Sequence, residues 1–138
     1  MPIRFPYLPL FGTSGETFLA PLLPLELCLA TANPVSTHGL LDSGATVNVM
    51  PYSLGIRLGA DWKTQSPSVR LTGNLAAHDA RALIVEAHIA AMEPVPLIFA
   101  WSESDDVPLL LGQVNFFQQF DVSFHGARLQ FELDHARP

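Results

Sequence analysis

The sequence predicts a small, mostly β domain whose strands form a closed barrel or a sandwich. Its 138 residues suit one domain with a modest hydrophobic core. Twelve prolines and nine glycines divide the chain into short pieces, which favours many short strands over long helices. Apolar residues make up 49% of the chain, and in several pieces they alternate with polar ones, as in strands with one buried face.

The first third of the chain contains two predicted strands and an aromatic N-terminal segment. Residues 4–11 carry three aromatic residues and two prolines, which is compatible with an edge strand or with an arm lying on another surface. The sequence TSGE at 13–16 predicts a turn. Residues 22–30 and 35–41 read as strands, and the sequence TANP between them predicts another turn.

The middle of the chain is less clear. Residues 47–50 are apolar at alternate positions, and Pro51 is placed to begin a short helical turn. The sequence ARALIVEAHIA, residues 80–90, fits both a helix and a strand, so periodicity alone does not decide between them.

The last third predicts short strands and one short helix. Residues 95–100 and 107–112 read as strands separated by a polar loop. A short helix is expected after them, with Asn115 as its N-terminal cap. The alternating apolar residues of 121–133 predict a hairpin that turns at the sequence HGA.

Composition argues against several classes of function. The net charge is −6 and no lysine or arginine cluster is present, so we expect no nucleic-acid partner. No apolar run approaches the roughly 20 residues that span a bilayer. The N-terminus also lacks the layout of a signal peptide. We therefore expect a soluble, cytoplasmic protein that has no membrane partner.

The sequence gives no sign of a metal or another cofactor. Cys28 is the only cysteine, which excludes an internal disulfide and a cysteine-based zinc site, and its two leucine neighbours predict buried packing. The five histidines lack the spacing of ligands on one helix face, so we interpret them as surface or ordinary polar residues.

The sequence LLDSGATVNVMP, residues 40–51, places Asp42 between two apolar runs. A carboxylate there is costly to bury unless it is paired or hydrogen-bonded. Asp, Ser and Gly are common turn residues, so a simple turn is one interpretation. A nucleophilic Ser43 is another, but Leu41 and Ala45 occupy the positions where a nucleophile elbow has glycine.

Two short motifs together resemble those of the retropepsin-like aspartic proteases, the single-lobed relatives of pepsin found in retroviruses and many bacteria. The first motif is Leu40-Leu41-Asp42-Ser43-Gly44-Ala45, and the second is Leu110-Leu111-Gly112. The resemblance covers roughly residues 22–133, preceded by an N-terminal arm, residues 1–21. It implies a single all-β domain, residues 1–138: a small closed barrel with one short helix after the second motif.

The resemblance also implies an aspartic endopeptidase that hydrolyses peptide bonds in peptide or protein substrates. Two close carboxylates share one proton because like charges at contact cannot both ionise. The charged one activates a water, and Asp42 would be buried as half of this pair. Gly44 would let the backbone approach, and Ser43 would hold the two active-site loops together. Only one Asp-Ser-Gly occurs in the chain, so the enzyme would be a homodimer.

Further expectations follow from the resemblance. A flap should lie within residues 69–85, and this favours a strand over 81–89. The flap tip is expected at Gly73, Asn74, Leu75 and Ala76. An ion pair of the viral members is replaced by Thr46 and Gln113, which should lie near each other. Dimer contacts come from the N-terminal arm or the C-terminal residues.

Two alternative functions remain open from the sequence. One is a non-catalytic β-domain of the same fold that serves as a monomeric binding module. The other is an unrelated small β-barrel that binds an apolar ligand. Self-association distinguishes the protease from both, because a strictly monomeric chain cannot complete the pair of aspartates.

Overall fold

The structure is a computed structural model that describes residues 1–29, 33–65 and 79–136. Its first strands are β1 (Ile3–Pro6), β2 (Leu8–Phe11), β3 (Thr17–Ala20), β4 (Leu22–Cys28), β5 (Val35–Leu41) and β6 (Asn48–Met50). The later ones are β7 (Ala80–His88), β8 (Val95–Ser102), β9 (Leu110–Leu111), β10 (Phe120–His125) and β11 (Gln130–His135). The helices are α1 (Tyr52–Arg57) and α2 (Phe116–Gln119), with 3₁₀ turns at Trp62–Thr64 and Gly126–Arg128.

Six strands close into a barrel in the order β4-β5-β9-β6-β8-β7. This confirms the all-β fold with a closed barrel, and α2 is the short helix expected after the second motif. The ambiguous segment is a strand, because β7 pairs with β8 over eight residue pairs, from Ala80–Ser102 to Ala87–Val95. Barrel strands bury alternate residues; in β4 these are Leu23, Leu25 and Leu27.

One end of the barrel core is filled by aromatic side chains next to α1. Trp101 of β8 is fully buried, stacks on Tyr52 and donates its indole N–H to the Tyr52 carbonyl at 3.0 Å. A β-carbon at Gly55 would lie 2.1 Å from the indole, so only glycine lets the helix approach so closely. The helix begins directly after Pro51, as the sequence predicts.

The two ends of the chain meet in a second sheet of order β1-β11-β10. Strands β10 and β11 form the hairpin that the sequence predicts, and β1 adds to its edge through the pairs Ile3–Leu133 and Pro6–Gln130. The rest of the N-terminal segment forms a separate hairpin, β2–β3, with a register from Leu8–Ala20 to Phe11–Thr17. The aromatic N-terminus is thus an edge strand followed by a hairpin.

Two predictions about single side chains are wrong. Asn115 makes no capping hydrogen bond to α2, because its side chain is held by other buried groups of the barrel. Cys28 is half-buried and not part of the core, because β4 alternates and turns it to the outer face.

Two further expectations concern the flap and the membrane. The expected flap tip, Gly73, Asn74, Leu75 and Ala76, lies outside the described residues. Over the three described ranges, none of the helices has the length and apolar character needed to cross a bilayer.

Candidate active site

The two sequence motifs lie side by side in the barrel. Strand β9 sits between β5 and β6 and pairs in parallel with β5 through Leu40–Leu110 and Leu41–Leu111. The Asp42 amide then donates to the Leu111 carbonyl at 3.0 Å. Asp42 is therefore the residue at which the first motif leaves the sheet, and the second motif fixes its backbone.

The loop after Asp42 is a tight turn that holds the carboxylate. The Gly44 amide donates to Asp42 Oδ1 at 2.9 Å, and the Ala45 amide donates to the Asp42 carbonyl at 3.1 Å. A hydrogen bond from a backbone amide to one oxygen of a carboxylate fixes the direction of that side chain. A β-carbon at Gly44 would lie 3.2 Å from the same oxygen, so glycine leaves room for this contact.

The two residues that follow the second motif, Gln113 and Val114, run beside the end of the Asp42 loop. The Gln113 amide donates to the Ala45 carbonyl at 2.9 Å, and the Val114 amide donates to the Thr46 carbonyl at 3.0 Å. The Gln113 side chain donates from Nε2 to the Ser43 carbonyl at 2.8 Å. The loop is thus tied to the second motif by both backbone and side-chain hydrogen bonds.

Gly112 allows the two segments to lie in contact. A β-carbon at this position would lie 2.5 Å from the Val47 carbonyl oxygen and 2.8 Å from that of Ala45. Both atoms belong to the backbone and cannot move aside as a side chain can. Leu110, Leu111 and Gly112 are all buried, so the second motif supports the loop from within the barrel.

A buried pair of asparagines supports the second motif and connects it to β6 and β8. Asn48 is fully buried and accepts a hydrogen bond from the Gly112 amide at 2.8 Å. Its Nδ2 donates to the Ile98 carbonyl at 2.9 Å and to Asn115 Oδ1 at 3.0 Å. Asn115 also accepts from the Ile98 amide and donates to the Pro96 carbonyl. This pair was not identified from the sequence. The signal available in the sequence was an asparagine next to an apolar stretch at each of the two positions.

The exposure of the loop differs from the sequence expectation. Asp42 is only half-buried, and Ser43 and Gly44 are exposed. The turn lifts these residues out of the barrel, because their hydrogen bonds run within the loop and to Gln113. Thr46 and Gln113 are both exposed, and the Gln113 amide group contacts Ser43, not the Thr46 side chain.

Comparisons with known proteins identify the fold. No protein-family model and no curated protein matches the chain. A solved structure that it resembles is that of a retropepsin-like aspartic protease from Rickettsia conorii. The match has a TM-score of 0.64, covers 98% of this chain and 91% of the other, and has 16% sequence identity. The predicted retropepsin-like fold is therefore confirmed, and the activity is a separate question.

Proposed function

We propose that this chain is a homodimeric aspartic endopeptidase in which each protomer supplies one catalytic Asp42. The observation that carries the proposal is the position of Asp42 at the end of β5, with its carboxylate held by the Gly44 amide at 2.9 Å. The carboxylate is fixed on one side and retains exposure on the other. A group arranged in this way is positioned before substrate arrives, which is what a catalytic acid or base requires.

One aspartate per chain makes the dimer part of the mechanism. The second motif, which faces the first across β5 and β9, carries Leu110, Leu111 and Gly112 and no acidic residue. The second carboxylate must then come from another copy, related by a two-fold axis that passes beside Asp42. Ser43 and Gly44 are exposed in the single chain, as residues that meet a partner loop would be.

The hairpin β2–β3 supports a dimer near this loop. Its end is joined to the first motif, since the Leu41 amide donates to the Pro21 carbonyl at 3.1 Å. The hairpin exposes three large apolar side chains: Phe11 at 76%, Phe18 at 50% and Leu19 at 45%. Phe11 and Leu19 share one face of the hairpin and Phe18 lies on the other, so both faces offer apolar surface for association. We propose that the two copies meet through this hairpin as well as through the Asp42 loops.

The two aspartates share one proton in the proposed reaction, because two adjacent carboxylates do not both ionise. The charged carboxylate accepts a proton from a water molecule lying between the two, and the resulting hydroxide forms a bond to the scissile carbonyl carbon. The protonated carboxyl donates its proton to the carbonyl oxygen. The intermediate then collapses: the carboxyl that took the proton from water gives it to the leaving nitrogen, the C–N bond breaks, and the other carboxylate accepts a proton from a hydroxyl group of the intermediate. The hydrogen bond from Gly44 keeps Asp42 aligned during these transfers.

A peptide-library digest tests this proposal. Wild type and Asp42→Asn are incubated with the library across acidic and neutral pH, and cleavage products are identified by mass spectrometry. We expect wild-type cleavage with a bell-shaped pH profile on the acidic side of neutral, and no cleavage by Asp42→Asn. Serine-directed reagents should have no effect. Cleavage that persists in Asp42→Asn, or that rises steadily into alkaline solution, contradicts the proposal.

The control for this digest is sedimentation of the same two proteins. A chain that self-associates but cleaves none of the peptides would contradict the assignment as a protease. A chain that remains monomeric at high micromolar concentration would contradict the shared pair of aspartates directly.

A further inference from the structure

The pairing of β4 with β7 closes the barrel and brings together titratable side chains that are not part of the Asp42 loop. Strands β4 and β7 pair there over three residue pairs, against eight pairs between β7 and β8. Cys28 lies opposite Glu86, and Glu26 lies opposite His88. Because the residue between them on each strand points into the barrel, these four side chains share the outer face.

Three of these side chains converge on one point. His88 Nε2 lies 2.6 Å from Glu86 Oε1 and 4.0 Å from Cys28 Sγ. One ligand atom from each of the three residues lies within 4.8 Å of the other two. The His88 and Glu86 side chains are 40% and 57% exposed, so a solute reaches them from solvent.

The contacts of His88 favour a metal site over an activated cysteine nucleophile. A thiol activated by histidine needs one ring nitrogen facing the sulfur, while the other is held by an orienting group. Here both the sulfur and the carboxylate face Nε2, so His88 cannot relay a proton between them. A thiolate, an imidazole nitrogen and a carboxylate directed at the same point are, in contrast, the donor set of a mixed-ligand zinc site.

The single cysteine excludes a zinc site built from several cysteines, but not one that histidine and glutamate complete. We propose that Cys28, Glu86 and His88 bind a zinc ion on the outer face of the barrel. Zinc lies about 2.3 Å from sulfur and about 2.0–2.2 Å from nitrogen or oxygen, so two ligands on one ion are about 3.5 Å apart. The observed separations of 2.6 and 4.0 Å lie on either side of that value, and side-chain rotation alone corrects both. The Cys28 thiol releases its proton to solvent when the ion binds.

The fourth ligand is Glu26 or a water molecule. Glu26 is the cross-strand partner of His88, and both residues line an open cavity of about 420 Å³ beside the cluster. An ion held by one residue of β4 and two of β7 cross-links two strands that pair over only three residue pairs. Zinc should therefore stabilise the folded barrel, since it binds the native arrangement and not the separated strands.

Cobalt titration of the full chain tests the site, because a Co²⁺–thiolate bond gives a near-ultraviolet charge-transfer band. We expect this band with wild type, its loss on adding Zn²⁺, and its absence in Cys28→Ser. Zinc affinity, measured by calorimetry, should fall more than about tenfold in His88→Gln and Glu86→Gln, because even an outer partner of a ligand contributes about 10- to 100-fold. His125→Gln and Glu93→Gln are matched controls, since neither residue belongs to the cluster or lines the cavity beside it.

Stability provides a second measurement that does not depend on protease activity. Zinc should raise the midpoint of thermal unfolding of wild type and of Asp42→Asn equally, and the rise should disappear in Glu86→Gln, whose exposed side chain can change without loss of the fold. The absence of a thiolate–cobalt band in folded wild type overturns the proposal. A zinc affinity that is unchanged in both Cys28→Ser and Glu86→Gln does so too, since the ion would then bind elsewhere.

Discussion

The Gly112 amide donates to the side-chain oxygen of Asn48 at 2.8 Å, and this hydrogen bond joins the second motif to β6, the strand that follows the Asp42 loop. The same Asn48 side chain also binds the Ile98 carbonyl and Asn115. One buried amide therefore links the loop that carries Asp42 to strand β8 and to the start of α2. We therefore expect the Asn48 side chain to help hold the Asp42 loop in place.

Replacing Asn48 by alanine should destabilise the fold and remove activity. The substitution leaves the Gly112 amide and the Ile98 carbonyl without this partner, and each unsatisfied buried group costs about 1–3 kcal/mol. We expect a loss of about 3 kcal/mol in the free energy of unfolding, measured by urea denaturation. Asn33→Ala is the matched control, because that asparagine is exposed and should change little. Equal effects at the two sites would contradict the role given to Asn48.

Gly112→Ala tests the close contact between the second motif and the loop. The new β-carbon would overlap the carbonyl oxygens of Val47 and Ala45, so the backbone must move. We expect destabilisation of about 1–3 kcal/mol and loss of peptide cleavage. Gly126→Ala is the control, since a β-carbon there meets nothing within 4 Å. A Gly112→Ala protein with wild-type stability and cleavage would show that the contact is not required.

Much of the fold can be predicted from the sequence because single segments carry the alternation of apolar and polar residues that is typical of strands. The alternation in 121–133 gives the β10–β11 hairpin, and the strand predicted at residues 22–30 contains β4. The strand β7 could not be chosen over a helix by periodicity. This segment forms a strand because it pairs with β8 over eight residue pairs. Pairing with a separate segment of the chain leaves no signal in the local sequence.

The site was only partly predictable for the same reason. Asp42 and Gly112 stand in recognisable motifs, but Asn48 and Asn115 act through partners that are 17 to 67 residues away in the chain. Asn115 also has the residue type of a helix cap, and the buried network outcompetes that local role. Cys28, Glu86 and His88 become neighbours only when β4 pairs with β7.

Gln113→Ala should reduce activity with little effect on stability. The Gln113 side chain is exposed, and its one hydrogen bond holds the Ser43 carbonyl at 2.8 Å. Without it the Asp42 loop is less ordered, and misplacement of a catalytic group by about 1 Å can cost about 100-fold in rate. We expect a fall of about tenfold in kcat/KM, with an unfolding midpoint close to that of wild type. Gln118→Ala, at another exposed glutamine, should leave both quantities unchanged.

Phe18→Asp should weaken the dimer if the hairpin β2–β3 forms part of the interface. Phe18 is half exposed, and a charge there would be buried without a partner on association. We expect the dissociation constant, measured by analytical ultracentrifugation, to rise at least about 100-fold, with activity falling in parallel at low protein concentration. Ile84→Asp is the control, because Ile84 is 62% exposed on β7. If both variants associate as wild type does, the interface lies elsewhere.

Subunit mixing tests the shared pair of Asp42 carboxylates most directly. Wild type is mixed with an equal amount of Asp42→Asn, exchange is verified by mass spectrometry of isotope-labelled chains, and cleavage is measured. Random assortment gives two aspartates to about a quarter of the dimers, and the number of dimers has doubled. Activity should therefore fall to about half that of the same amount of wild type alone. Unchanged activity after verified exchange would mean that each chain acts by itself, and it would contradict the shared pair.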